Sequence, residues 1–312
     1  MQLFIQLFRC RRDVFPHYWE NKRSGKAGYS PVCANEWKKG VCYKPKVKCR
    51  SCPNQDFIPF DSDSVRNHLT GRMAIGSYAI NGDDKCIFLA ADFDKSTWKE
   101  DVTAYRQSAA EMNVQVATEM SKSGNGAHAW IFANDRVPAK KARRLGEMIL
   151  SRAMIRQNVM NLASYDRFFP NQDLLPSGGF GNLIALPLQK QYRDNGCCVF
   201  LDKDFNIIAN QWEYLSQLHR LTESDLDALL YEASNQEYQL DVADEMTAAE
   251  SVVRSYGYQT PEKTYHGQIT LSLGGQIAVP LVALPAEIIL KLMKLATFAN
   301  PKYFEAQRMR FS

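Results

Sequence analysis

The spacing of apolar and polar positions changes several times along the chain. CIFLAADFD (86–94) is an apolar run ending in acids and reads as a buried strand. STWKE, from Ser96, then opens an amphipathic helix to about Met112, with Ser96 or Thr97 as its cap. VQVATEMS (114–121) alternates as a strand does, SGNG (123–126) is a turn, and AHAWIFA (127–133) is a further strand. Residues 138–156 begin with proline and carry Ala142, Leu145, Met148, Ile149 and Met154 at helical spacing. Further strands are predicted at 163–169, 182–189 and 196–202, with PSGGFG joining the first two. Short turns between neighbouring strands predict an α+β fold, its mixed or antiparallel sheet backed by helices. Residues 222–255 read as an acidic helical segment or linker, and 284–312 is again helical in period. Residues 1–60 are rich in Lys, Cys, Pro and Gly and predict little regular structure.

A chain of 312 residues is long for one small core and suggests two or three units. The pattern divides it into a basic N-terminal region (1–64), a central region of alternating strands and helices (65–220) and an acidic, then helical, remainder (221–312). The 45% hydrophobic and 23% charged residues are ordinary for a globular protein. No apolar run is long enough to span a bilayer, and MQLFIQLFRCRR places its charge after the apolar stretch, the reverse of a secretory signal. A cytoplasmic protein without a membrane partner is expected. The net charge of +4 is unevenly spread: residues 1–50 hold twelve Lys and Arg against three acids. With Phe15, Tyr18, Trp19, Tyr29, Trp37 and Tyr43 interleaved, that end suits phosphate neutralisation and base stacking, or simply a solvated basic face.

Asp92 and Asp94 stand two apart at a strand end, so both leave one face while Phe93 enters the opposite layer. Such a pair can share hard cations, which nucleotidyl transfer requires; it can also be a solvated strand end. Asp202 and Asp204 have the same spacing but lie between VFL and FNII and read as a hairpin turn, so context must decide. Around the first pair the context is SKSGNGAHAWIF (121–132). Gly124 and Gly126 permit a tight turn whose amides approach phosphate oxygens. Lys122 and His128 beside it could hold a triphosphate, although a histidine alone would more simply be a core residue. Asp166 is the favoured third carboxylate. Asp173 is the alternative, or a cap for the following turn.

Cys33, Cys42, Cys49 and Cys52 give Cys-x8-Cys-x6-Cys-x2-Cys, which reads as a structural zinc site with His17 as a reserve ligand; unrelated free thiols are the plainer alternative. Cys10, Cys86, Cys197 and Cys198 lie in apolar or isolated settings and read as core or incidental thiols.

DFD at 92–94, SGNGAHAW at 123–130 and an acid followed by GNLIALP resemble the three motifs of the archaeo-eukaryotic primase superfamily. Together with GYSPVC, HLTG, SYDRFFPNQD and GGFGNLIALPLQ, they resemble the primase-polymerases of TOTE conflict systems over about residues 5–220. The resemblance implies a split catalytic domain with an RRM-like half carrying the metal acids. It also implies template-dependent synthesis from dNTPs or NTPs on single-stranded or primed DNA. Asp92, Asp94 and the third acid would bind Mg2+ or Mn2+, and His128 would contact nucleotide phosphates, helped by Ser121, Lys122 and Ser123. Relatives often carry an arginine where this chain has Ala185, which leaves Lys190 as the phosphate cation there. A helicase commonly follows, and LATFANPKYFEAQRMRFS resembles the lead-in to one, in a fragment or in a free-standing primase.

Overall fold

The computed structural model describes residues 1–159 and 161–232, together with the backbone of 268–272 and 276–280. The chain forms two compact units, Met1–Leu240 and Asp241–Ser312.

The first unit is built round a five-stranded sheet. β4 (Lys85–Asp94) leads into α3 (Trp98–Ala110), then β5 (Ala117–Met120), β6 (Gly126–Pro138), α4 (Ala139–Gln157) and β7 (Tyr165–Phe169). The strands lie in the order β7-β4-β6-β5, with the short β9 (Phe200–Leu201) added beside β5, and every neighbouring pair is antiparallel. The βαββαβ order places β6 between the two strands that α3 connects, the split βαβ topology of RRM-like domains. The sheet is thus antiparallel throughout, not mixed.

One face of the sheet buries its alternate residues under α3 and α4. Phe93 meets Tyr105 at 5.5 Å between ring centroids, as strand alternation requires for the residue between two exposed-face aspartates. Gly146 brings α4 close: a Cβ there would lie 2.7 Å from Leu89 Cδ2 and 2.8 Å from Phe168 Cζ. The other face carries Phe88, Trp130 and Phe132, and is covered by α1 (Gln2–Phe8), whose Phe8 meets Trp130 edge-on at 5.2 Å. The apolar N-terminus therefore belongs to the core of the sheet.

Residues 1–60 hold more regular structure than their composition suggests. Besides α1 there is a hairpin of β1 (Pro16–Asn21) and β2 (Lys26–Pro31). The hairpin is bridged through His17 to Ile75, next to β3 (Gly76–Tyr78). α2 (Ser62–Leu69) opens with a capping box in which Asp61 accepts from Asp63 and Ser64 N–H. β3 pairs with β8 (Leu183–Ala185) in a second, two-stranded sheet. The strand expected over 182–189 stops at Ala185. Pro187 has no N–H for a ladder, Leu188 adopts φ 64°, and the Gln189 side chain caps α5 (Lys190–Arg193).

α6 (Gln211–Ser216) follows β9, and 223–232 is helical, in keeping with the start of the acidic segment. The rest of that segment and the helical tail over 284–312 lie outside the described residues. In the second unit, β10 (Gln268–Ser272) and β11 (Gln276–Pro280) form an antiparallel hairpin. No helix among the described residues is long and apolar enough to cross a membrane.

Candidate active site

One row of the sheet gathers charge from four adjacent strands. Arg167 on β7 pairs with Asp92 on β4, Asp92 with His128 on β6, and His128 with Glu119 on β5. Direct partners across a ladder project on the same face, so cation and anion alternate along the row. Asp94 sits at the end of β4 opposite Gly126. A Cβ at Gly126 would lie 2.4 Å from the Phe93 carbonyl oxygen, so only glycine lets β6 begin against the strand that carries the aspartates.

Asp166 enters by a register shift. Arg167 opposes Asp92 and Tyr165 opposes Phe93, which leaves Asp166 as the extra residue of a bulge beside the aspartate pair. Its carboxylate holds Arg167 Nε at 2.6 Å. A buried clasp fixes this junction. Asp101 on α3 accepts from Ser164 N–H (3.0 Å) and Ser164 Oγ–H (2.6 Å), and the Ser164 carbonyl accepts from Asp94 N–H at 2.8 Å. Asp173 is placed elsewhere, bound to Arg143 of α4 at 2.5 Å, and caps no turn.

His128 is 12% exposed and lies between two carboxylates. Its Nδ1 donates to Glu119 Oε2 at 2.9 Å, and its Nε2 stands 3.7 Å from Asp92 Oδ1. Glu119, 1% exposed, accepts at the same oxygen from Trp130 Nε1 at 2.8 Å. Burial opposes charge on the imidazole, but Glu119 and then Asp92 outweigh it and raise the His128 pKa. Asp92 is raised as well, first by burial, with Asp166 and Asp94 adding to the shift and His128 opposing it. A desolvated carboxylate with two more carboxylates beside it is a place where a divalent cation would relieve repulsion, and in this respect the acids fit the expected metals. Among the described residues, however, no group of three or more His, Cys, Asp or Glu side chains is gathered closely enough to hold an ion as it stands.

The turn between β5 and β6 is closed by Ser121 N–H donating to the Gly126 carbonyl. Gly124 is left-handed at φ 75°. The hydroxyls of Ser121 and Ser123 are 3.0 Å apart, and Ser123 Oγ accepts from Asn125 N–H. Lys122, expected to help hold phosphates, lies against aromatic rings. Its ammonium lies 3.5 Å from the ring centroid of Tyr18 on β1 and 4.7 Å from that of Tyr192 on α5. Lys190 is placed on α5, ion-paired with Asp194 at 2.7 Å. Asp202 is the hub of a hairpin turn, accepting from Asp204 and Asn206 N–H, so the second Asp-x-Asp is structural. Tyr78 is buried and stacked on Phe180 at 5.2 Å, a packed tyrosine.

The sequence pattern singled out none of Glu119, Asp101, Arg167 and Tyr192, and it did not bring Tyr18 to Lys122. Glu119 had no signal: in VQVATEMS it alternates in phase with Gln115 and Ser121, on the polar side of the pattern. The partners of Asp101 and Lys122 are set by tertiary packing alone.

Cys33, Cys42, Cys49 and Cys52 line one small cavity together with Glu36 and Lys44. All four are free thiols, and Lys44 Nζ donates to Glu36 Oε1 at 2.7 Å. The donor set suits a structural zinc ion, though the sulfurs are not drawn into a closed ligand set. Cys10, Cys86 and Cys198 are buried and Cys197 is half-buried, and burial pushes the Cys10 thiol up to about 12.

The family model described as "TOTE conflict system, Archaeo-Eukaryotic Primase domain" matches residues 1–229, and the chain belongs to that family. Among solved structures, the polymerase domain of Mycobacterium tuberculosis Ligase D in complex with DNA is similar at 10% identity. That match covers 75% of this chain and 84% of that one, with a TM-score of 0.39. No curated protein matches the chain.

Proposed function

We propose that the protein is a template-dependent DNA primase-polymerase that transfers nucleotides from dNTPs or NTPs to a 3′ hydroxyl, or starts strands itself. The observation that carries this reading is the row Arg167–Asp92–His128–Glu119, with Asp94 and Asp166 at its open end. Asp92, Asp94 and Asp166 would hold Mg2+ or Mn2+. When bound, such ions activate the attacking hydroxyl and neutralise the leaving phosphates. Glu119 keeps the His128 ring oriented, with Nε2 directed toward the aspartates, where a protonated imidazole can donate to a phosphate oxygen. Arg167 opposes Asp92 across the ladder and ion-pairs with Asp166, which supports assigning to it, in place of Lys190, the charge developing on the triphosphate. The turn from Ser121 to Gly126 offers its amides and hydroxyls at the same end of the sheet.

The cysteine module is proposed to bind structural zinc. Every residue from 33 to 59 is at least partly exposed, so burial cannot hold this stretch, and its interior is the cavity the four thiols line. A zinc-containing nucleic-acid-binding module without catalysis is the second reading. The intact row of charged residues favours the enzyme.

The test is nucleotide incorporation on a single-stranded template, with and without primer, comparing dNTPs with NTPs. Asp92→Asn should lower incorporation at least ~1000-fold. The melting temperature of the zinc-replete protein without Mg2+ or Mn2+ should stay level or rise, because the change removes a desolvated carboxylate. Normal extension by the variant would refute the proposed role. Synthesis only from a primer would make the protein a gap-filling polymerase.

A further inference from the structure

The thiol-lined stretch leaves its largest apolar side chains outside. Trp37 is 68% exposed and Tyr43 50%, although the segment from 33 to 59 has no buried residue. A segment short of core would gain most by folding such rings inward, since each can bury ~150–250 Å2. Trp37 instead stands at φ 60°, a left-handed conformation that is uncommon for a bulky residue, with the Lys44 ammonium 5.9 Å from its ring. Tyr43 is steadied from within the module, its hydroxyl donating to the Gly40 carbonyl at 3.0 Å. The scaffold beneath is a set of side-chain bonds to backbone: Asn35 to the Asn54 carbonyl, Asn54 to the Val41 carbonyl and Gln55 to the Cys49 carbonyl.

Charge is concentrated in the same place. Residues 33–59 hold six Lys and Arg and two acids, as much net positive charge as the whole chain carries. Glu36 engages Lys44, which leaves Lys38, Lys39, Lys46, Lys48 and Arg50 as exposed cations in the same stretch as the two rings. Lysines alone would suit duplex DNA, whose phosphates are its accessible charge. Exposed ring faces among them suit unpaired bases, which have a free face to stack on.

We propose that this module is a single-strand platform, with Trp37 and Tyr43 stacking on bases while Lys38, Lys39, Lys46 and Lys48 neutralise phosphates. It deepens the polymerase reading by giving the unpaired template a binding surface, and it rests on that reading only for the identity of the strand.

The test is the affinity of the full chain for a labelled oligodeoxythymidine strand and for a hairpin duplex. It is measured by fluorescence anisotropy over a series of salt concentrations on the zinc-replete chain, without nucleotide and without Mg2+ or Mn2+. Trp37→Ala and Tyr43→Ala should each weaken single-strand binding about tenfold or more while the salt dependence keeps its slope. Trp37→Phe should restore most of the loss. The pair Lys38→Gln with Lys39→Gln should flatten the slope of log affinity against log salt by about 1.4, the loss of two phosphate contacts. Unchanged single-strand affinity in both aromatic variants overturns the proposal, as does an equal loss on the duplex. Because the assay contains no nucleotide, its failure leaves the catalytic reading intact, and failure of the Asp92→Asn test leaves this one intact.

Discussion

The sheet and the thiol-lined module solve the same problem, that of holding polar side chains in fixed places, by opposite means. In the sheet, Asp92 and His128 are placed by a ladder whose other face is buried under α3 and α4, and Phe93 and Leu89 anchor the strand that carries the acids. A register slip there would turn the aspartates inward and Phe93 outward, so burial itself specifies the site. In the module, no residue from 33 to 59 is fully buried, and its order rests on backbone and amide side-chain hydrogen bonds, an ion pair, the edge-on contact of Phe57 with Phe180 and the cavity among four thiols. One region spends hydrophobic surface to orient charge, and the other leaves most of its own outside.

Removing metal should break that comparison most sharply. If zinc holds the module, a strong chelator should unfold residues 33–59 while the sheet persists. A structural zinc ion in a finger-sized peptide is worth on the order of 10 kcal/mol, more than the remaining hydrogen bonds can replace. Cys49→Ser with Cys52→Ser should do the same. The measurement is hydrogen exchange resolved by peptide: fast exchange over 33–59 with protection kept over β4 and β6. Retained zinc in the double variant, or equal loss of protection in both regions, would count against the assignment.

This contrast also explains what could be read from the sequence. The strand at 86–94 was legible because nine residues repeat the pattern of a buried strand, and the same alternation put Asp92 and Asp94 on one face. The choice of Asp166 over Asp173 rests on a bulge, which moves one residue by one position and leaves no mark in composition. The hairpin of β1 and β2 was missed because its pattern is half-exposed and polar, with Pro16 and Pro31 at its ends. Lys122 was given to phosphate because cations beside glycine turns often serve there. Nothing in the order of residues shows Tyr18 and Tyr192 arriving from distant segments to meet it.

A smaller effect sharpens the account of the sheet. Glu119→Gln removes the carboxylate that holds both His128 and Trp130 and should cost about 2 kcal/mol, as a buried charge-assisted hydrogen bond does. The loss should depend on pH. The folded His128 pKa is raised, so its stabilising contribution is fully present below the ordinary imidazole value of 6.5 and fades as pH rises through the folded value. Wild type and variant should therefore differ most just below 6.5 and converge at alkaline pH in denaturant titrations. A gap that widens with rising pH would show that Glu119 serves packing, not charge.

The smallest effect concerns Lys122, which joins the two regions through the hairpin. Its ammonium lies 3.5 Å from the Tyr18 ring, and a cation over an aromatic face contributes roughly 1 kcal/mol when partly desolvated. Tyr18→Leu removes the face and should loosen the turn from Ser121 to Gly126, because Tyr192 at 4.7 Å remains as the weaker partner. Tyr18→Phe keeps the face and should behave as wild type. If the turn positions the triphosphate, the leucine variant should raise KM for the nucleotide about fivefold, the equivalent of that energy, with kcat little changed. Equal behaviour of the phenylalanine and leucine variants would mean that the ring acts through its hydroxyl or not at all, and that the turn is held by its own serines and glycines.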